Sequence, residues 1–234
     1  MTREALDRKL RSLLDNIQDM EELVEHATID AVDALKRQDL VAAQKIYDAD
    51  SIINTRRFDL ENDCVITIAT QQPIMAGDLR LVASILEVSG ELERMGDYAK
   101  GIAKICLLIG TEPLIKPLID IPRMMEITLS MLRRAVTAFI NHDVEAARSI
   151  PDDDYLVDDL YNQVYRELIT IMFAKPTTID QANHLMWAAH NLERMADRVT
   201  NICERAIYVV TGEMKEVDKT DDEVNSSYQG DGSN

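Results

Sequence analysis

An internal repeat constrains this chain more than any other feature. The string Leu-Glu-Arg-Met-Gly-Asp at residues 92–97 returns as Leu-Glu-Arg-Met-Ala-Asp at residues 192–197. The string that begins at Asp39 (Asp-Leu-Val-Ala-Ala) likewise corresponds to the one that begins at Asp143 (Asp-Val-Glu-Ala-Ala). Strings that recur in the same order, here 100 and 104 residues apart, are typical of duplicated structural units. The sequence therefore predicts two copies of one fold.

The repeated unit has the periodicity of α-helices. In the first segment, apolar residues step by four, three, four and three along one face, with charged residues between them. They are Leu6, Leu10, Leu13, Ile17, Met20, Val24, Ala27 and Ala31. The chain has only 8 Gly, 6 Pro and 5% aromatic residues, a composition that favours long helices over strands.

Capping and breaking residues divide this pattern into six long helices. Asp39 and Asp143 are residue types that begin helices, and a proline precedes the third and the sixth helix. The third helix is predicted over about residues 78–109, and the sixth over about residues 180–211. The predicted fold class is all-α, with two tandem antiparallel three-helix bundles.

Composition also predicts the domain boundaries. We expect a first bundle over residues 1–110, a linker containing two prolines over residues 111–117, and a second bundle over residues 118–212. Residues 213–234 are rich in Asp, Glu, Ser and Gly and have no apolar period. We therefore expect an acidic, disordered C-terminal tail.

The charge and the cysteines restrict the class of partner and the compartment. A formal net charge of -17 disfavours nucleic acid, which needs a surplus of Lys and Arg, and suits divalent cations or a basic protein surface. The three cysteines form no CxxC pair, which predicts free thiols in a reducing compartment. We find no leader pattern and no apolar run near the ~20 residues of a spanning helix. We expect a cytoplasmic protein without a membrane span.

Acidic residues recur at helical spacing in both copies. Glu93 and Asp97 lie four residues apart, on one face of a helix, and Glu193 and Asp197 repeat this arrangement. A single pair of this kind is typical of a solvated helix face. Its recurrence at equivalent positions instead indicates a site.

A second acidic spacing precedes each of these pairs. Asp50 and Asn54 occupy it in the first copy, and Asp154 and Asp158 in the second. Helices joined by a short turn are antiparallel neighbours, so we expect Asp50 and Asp154 to face the motif glutamate of their own copy. Carboxylates ~5 Å apart repel by ~3 kcal/mol at an effective dielectric of ~20, and a cation removes that cost. The predicted metal ligands are Asp50, Asn54, Glu93, Asp97, Asp154, Asp158, Glu193 and Asp197.

The ligand type indicates the metal. Oxygen-only ligands suit iron, manganese, magnesium or calcium. His190 precedes Glu193 by three residues and is expected beside the second site, although a lone helical histidine is more often a surface or core residue. Arg94 and Arg194 point ~100° away from the motif glutamates, so we expect them to form ion pairs with the adjacent helix.

At these residues the sequence resembles the PhoU family of phosphate-transport regulators. The resemblance rests on Gln71-Gln72-Pro73 followed by Asp78-Leu79-Arg80, and on the strings at residues 93–97 and 193–197. It covers about residues 1–212. It implies two similar three-helix bundles that often dimerise, with acidic motifs that bind metal ions. It implies no enzymatic activity.

The same resemblance implies the partners. Members of the family act with the ATPase subunit of the high-affinity phosphate ABC transporter and, in many bacteria, with a membrane sensor kinase. They keep the phosphate-starvation response off when phosphate is plentiful. Carried over by position, Glu93, Asp97, Glu193 and Asp197 become metal ligands. Asn54 gives the first copy one carboxylate fewer, which predicts weaker metal binding there.

Two alternative functions stay open at this point. An enzyme of the carboxylate-bridged di-metal type needs Glu-x-x-His on two helices, and this chain has no Glu-x-x-His. A plain helical scaffold would carry the same acidic residues as solvated faces without metal. The sequence also has no Gly-rich phosphate loop, so we expect phosphate to be sensed through partners.

Overall fold

The computed structural model describes residues 3–71 and 73–214, in which every regular element is helical. The α-helices are α1 (Arg3–Arg37), α2 (Leu40–Ala49), α3 (Ser51–Thr70), α4 (Ala76–Ile109), α5 (Asp120–Asn141), α6 (Val144–Ser149), α7 (Asp154–Ala174) and α8 (Ile179–Thr211). Short 3-10 turns at Pro151–Asp153 and Pro176–Thr178 precede α7 and α8. Helices α1 to α4 pack as one bundle and α5 to α8 as another, which confirms the predicted fold class.

The second helix of each bundle is broken, where the sequence predicted one continuous helix. In the first bundle the break is Asp50, whose carbonyl accepts from the N–H of Ile53 at 3.0 Å, in a tighter turn than an α-helix makes. In the second bundle Pro151 has no N–H to donate and begins a 3-10 turn instead. In the first bundle the break is the acidic residue Asp50 itself, and in the second it lies directly before Asp154, the first residue of α7.

The turns that lead into α2 and α6 are built alike. Gln38 and His142 both adopt the left-handed conformation, with φ of 55° and 57°. The next residue, Asp39 or Asp143, accepts a hydrogen bond on its side chain from the backbone N–H three residues on, at 3.0 Å in both copies. Both predicted helix starts are confirmed.

The long helices α4 and α8 pack against each other and join the two bundles. They run antiparallel, because Asn201 of α8 donates to Glu91 of α4 at 3.2 Å, whereas Gly101, later in α4, meets Asn191, earlier in α8. A Cβ at Gly101 would lie 2.7 Å from Asn191 Nδ2, so glycine permits this approach. Positions 91 and 191 are equivalent in the repeat, as are 101 and 201. An approximate twofold axis therefore relates the two copies.

The segment between α4 and α5 contains the predicted linker at residues 111–117. The Gln38 side chain donates to the Gly110 carbonyl at 3.1 Å, and the Gln181 side chain donates to the Pro113 carbonyl at 3.2 Å. Residues of both halves therefore hold this segment. The division of the chain into two domains stays a prediction.

Four further predictions concern the apolar stripe of α1, the cysteines, the C-terminal tail and a membrane span. The apolar stripe of α1 is buried, except that Ala27 is only partly covered. The three cysteines are free thiols and are buried. The tail predicted from residue 213 lies, from residue 215 onward, outside the described residues. Within the described ranges, no helix is both long and apolar enough to cross a membrane.

Candidate functional site

The first acidic patch consists of Asp50, Asn54, Glu93 and Asp97. Asp50 is buried at the break between α2 and α3, and its Oδ2 atom accepts from Asn54 Nδ2 at 3.2 Å. The same oxygen accepts from Lys100 Nζ of α4 at 2.7 Å. The packing of α3 on α4 thus brings Lys100 to Asp50, and it places Asp50 near enough to Glu93 and Asp97 to act on both carboxylates.

A second basic side chain enters the first patch from α3. Arg57 Nη1 lies 3.2 Å from Glu93 Oε2, and Arg57 Nε donates to Glu61 at 2.7 Å. Lys100 also lies over the Tyr47 ring, 5.3 Å from its centroid, which fixes the ammonium group beside Asp50. The first patch therefore contains its own cations.

The carboxylates of the first patch act on one another. Burial is the main cause that raises the pKa of Glu93, followed by repulsion from Asp97, while Arg57 opposes the rise. Burial also raises the pKa of Asp97, followed by repulsion from Asp50, while Lys100 opposes it. Glu93, Asp97 and Asp50 therefore form one electrostatic cluster that two basic side chains partly neutralise.

The second acidic patch consists of Asp154, Asp158, Glu193 and Asp197. Burial raises the pKa of Glu193 to about 7, and repulsion from Asp197 and then Asp158 adds to the rise. Asp158 of α7 thus acts on this glutamate, and the expectation that Asp154 faces Glu193 stays a prediction. Asp154 stands at the first position of α7, directly after the 3-10 turn.

One carboxylate oxygen of the second patch is left without a hydrogen bond. Glu193 Oε2 is buried and accepts none from the described residues. His190 Nδ1 lies 3.1 Å from it, close enough for an ion pair with a protonated ring but not directed for a hydrogen bond. Burial, followed by the nearby Arg194 charge, lowers the pKa of His190, so the ring is neutral at pH 7. A buried acceptor without a donor is costly, and a cation would satisfy it.

Aromatic side chains surround His190. The Trp187 ring meets it edge to face at a centroid distance of 5.5 Å, and the Tyr161 ring lies 6.0 Å away. Sequence reasoning identified neither aromatic residue, although Tyr161 follows Asp158 by three positions and Trp187 precedes His190 by three. Positions three apart share a helix face, so this spacing was the available signal.

The two motif arginines do not behave as predicted. Arg94 pairs with Glu91 at 2.7 Å and Arg194 pairs with Asp197 at 2.8 Å, each within its own helix rather than with the neighbouring helix of its bundle. Side chains three apart on a helix are neighbours, which makes these short-range pairs accessible. Arg194 additionally donates to the Tyr98 hydroxyl of α4, across the contact between the bundles.

The residues present fit a metal ion only in part. Carboxylate oxygens are the ligands that hard cations prefer, and Glu193 Oε2 is a buried oxygen without a hydrogen bond from the described residues. In the first patch, Lys100, Asn54 and Arg57 already bind such oxygens. Within residues 3–71 and 73–214, no three His, Cys, Asp or Glu side chains converge closely enough to hold a metal. The ligand set stays a prediction.

Two three-helix bundles related by an approximate twofold axis, each with an acidic patch on its second and third helices, define a class of duplicated helical-bundle proteins. The sequence model of the PhoU domain matches this chain twice, over residues 17–106 and 121–206. The chain belongs to the PhoU family, as the sequence resemblance predicted.

Relatives of known name match along nearly their whole length. The phosphate-specific transport system accessory protein PhoU homolog of Aquifex aeolicus is 37% identical over 209 residues, covering 89% of this chain and 94% of that protein. The homolog of the same name from Rhizobium meliloti is 32% identical over 224 residues, covering 95% and 94%.

Solved structures share the fold. The crystal structure of the phosphate transport system regulatory protein PhoU from Streptococcus pneumoniae has a TM-score of 0.83 and 32% identity, covering 90% of this chain and 99% of that one. The crystal structure of PhoU from Pseudomonas aeruginosa has a TM-score of 0.82 and 32% identity, covering 88% and 99%.

Proposed function

We propose that this protein is a metal-binding regulatory adaptor of phosphate uptake, and not an enzyme. The observation that carries the proposal is the family membership along almost the whole chain, with relatives named as accessory or regulatory proteins of phosphate transport. The acidic patch recurs at equivalent places in the two family-matched segments, which supports a role for it in that function.

The metal, in this proposal, is iron, manganese, magnesium or calcium, held by carboxylates of the second patch. Asp197 and Asp158 repel the Glu193 carboxylate, and Glu193 Oε2 is buried and accepts no hydrogen bond from the described residues. A bound cation would supply positive charge and connect α7 to α8 at this point. The protein's own residues provide the oxygens.

The partner, in this proposal, is the ATPase subunit of a phosphate ABC transporter and, where one is present, a membrane sensor kinase. The protein works at the cytoplasmic face as a homodimer. A net charge of -17 favours a basic partner surface and suppresses association with acidic ones. Phosphate is sensed through these partners rather than by the bundles themselves.

Two measurements test the proposal. Protein purified without chelator or nickel is assayed for metal by mass spectrometry, and its capture of the transporter ATPase subunit is measured beside the variant E193A/D197A. We expect the variant to lose metal and to capture the ATPase less well. The control D15A/D19A removes an exposed acidic pair of the same spacing on α1 and leaves both unchanged.

The outcomes separate the candidate functions. Metal-free protein whose ATPase capture is unaffected by E193A/D197A would support the plain helical scaffold and contradict the metal-dependent adaptor. Tight phosphate binding by the isolated protein, measured by titration calorimetry, would contradict indirect sensing.

A further inference from the structure

The two acidic patches differ at three equivalent positions of the repeat. Arg57 of the first patch corresponds to Tyr161 in the second copy, and Lys100 corresponds to Thr200. Asn54 corresponds to Asp158. The first patch thus contains Arg57 and Lys100, which the second copy replaces by uncharged residues, and it has one carboxylate fewer than the second patch.

The basic side chains of the first patch contact the oxygens that a metal would need. Lys100 Nζ lies 2.7 Å from Asp50 Oδ2, which Asn54 Nδ2 also approaches at 3.2 Å. Arg57 Nη1 lies 3.2 Å from Glu93 Oε2. A divalent cation binds carboxylate oxygens at about 2.0–2.6 Å, so it would have to displace these groups and approach their positive charges.

The contacts are supported from both helices. Arg57 is held on α3 by Glu61 at 2.7 Å, and Lys100 on α4 lies over the Tyr47 ring. Asp50, which pairs with Lys100, is buried, and removing the charged partner of a buried carboxylate is strongly destabilising. In the second patch, Arg194 pairs with Asp197 of the same helix at 2.8 Å.

We propose that Lys100 and Arg57 are built-in counterions that exclude metal from the first acidic patch, so that the protein binds metal only at the second. The α3–α4 contact would then be independent of divalent cations, and the response to metal would be confined to the α7–α8 contact. The claim that the second patch binds metal rests on the proposed function. The claim that the first patch excludes metal rests on the described ion pairs alone.

A residue exchange tests the proposal. The variant N54D/R57Y/K100T gives the first patch the residues of the second. Metal content is measured by mass spectrometry after equilibration with Mn²⁺ and gel filtration, with helical content checked by circular dichroism. We expect one equivalent in the wild type, two in N54D/R57Y/K100T, none in E193Q/D197N, and one in E93Q/D97N. The control R56Y/K104T exchanges exposed neighbours of the same types and keeps one equivalent.

Other results have a definite meaning. Two equivalents in the wild type, or one retained by E193Q/D197N, would overturn the exclusion from the first patch. Wild type without metal would contradict the proposed metal binding, yet a gain by N54D/R57Y/K100T would still support the exclusion, and no gain would overturn it. If the triple variant does not fold, the double variant R57M/K100M, which removes both counterions, is used, and its failure to gain Mn²⁺ would overturn the proposal.

Discussion

Asp39 and Asp143 cap α2 and α6 through the same backbone hydrogen bond, yet Arg57 and Tyr161, at equivalent positions further along the chain, have different chemistry. The cap is required by the turn, because a helix start leaves N–H groups that need an acceptor in any copy of the fold. A side chain facing a patch satisfies no such general requirement. The two bundles therefore share backbone architecture and differ in how their buried negative charge is balanced.

The largest expected effect is the loss of a built-in counterion. The change Lys100→Met leaves the buried Asp50 carboxylate without its ammonium partner, which should lower the free energy of unfolding by about 2 kcal/mol. Urea unfolding in the presence of a chelator measures this loss. Lys104→Met, at an exposed position one turn later, should leave the midpoint unchanged. An equal loss of stability in both variants would show that it comes from the removal of a positive charge in general and not from the contact with Asp50.

The next effect concerns a buried carboxyl that only the first bundle has. Glu21 of α1 corresponds to Met125 of α5. Burial, followed by repulsion from Glu25, raises the pKa of Glu21 to about 7, and its Oε1 atom has no hydrogen bond among the described residues. Between pH about 4.5 and 7, the unfolded chain releases a proton that the folded protein retains. Stability contributed by this group is therefore lost as pH rises through that window.

The variant Glu21→Gln tests this difference between the bundles. We expect it to raise the free energy of unfolding at pH 8 by about 1.5 kcal/mol, about half of the ~3 kcal/mol that the whole pKa shift would give. At pH 5 the gain should be much smaller, because the folded wild type is already protonated at this position. Urea midpoints at both pH values check the prediction. Glu126→Gln, at an exposed position of α5 whose charge is not among the causes of the Glu21 shift, should show no such pH dependence.

These differences also show how far the sequence alone determined the structure. Helix type, the caps at Asp39 and Asp143 and the end of α8 at Gly212 follow from local preferences, and they were predicted. The positions of Arg57 and Lys100 in the first patch depend on how far α3 and α4 are rotated about their axes, which side-chain packing across the whole bundle determines. Periodicity gives a face of a helix, and it does not specify which neighbouring side chain that face meets.

A smaller effect should be the same in both copies. Asp39→Ala and Asp143→Ala each remove one cap acceptor, at the two turns with matching geometry. Each change should lower the free energy of unfolding by about 1 kcal/mol. Differential scanning calorimetry or urea unfolding checks the values. Costs that differed by more than a factor of two would show that the two turns are not equivalent in energy, despite their equal hydrogen-bond lengths.

The smallest effect is a coupling between two core positions that differ together in the repeat. Gly96 and Ile53 of the first bundle correspond to Ala196 and Val157 of the second. A Cβ at Gly96 would lie 2.8 Å from Ile53 Cδ1, the atom that valine lacks. The single change Gly96→Ala should therefore overpack the α3–α4 contact, offsetting the gain in helix propensity.

The double variant G96A/I53V removes the clashing atom while adding the methyl group, which reproduces the pair found in the second bundle. A double-mutant cycle in urea should give a favourable coupling of about 0.5 kcal/mol between the two changes. Additive effects would mean that Ile53 moves aside freely when a Cβ is present. In that case the close approach of α3 to α4 would not depend on glycine, and the two bundles would tolerate the same helix spacing.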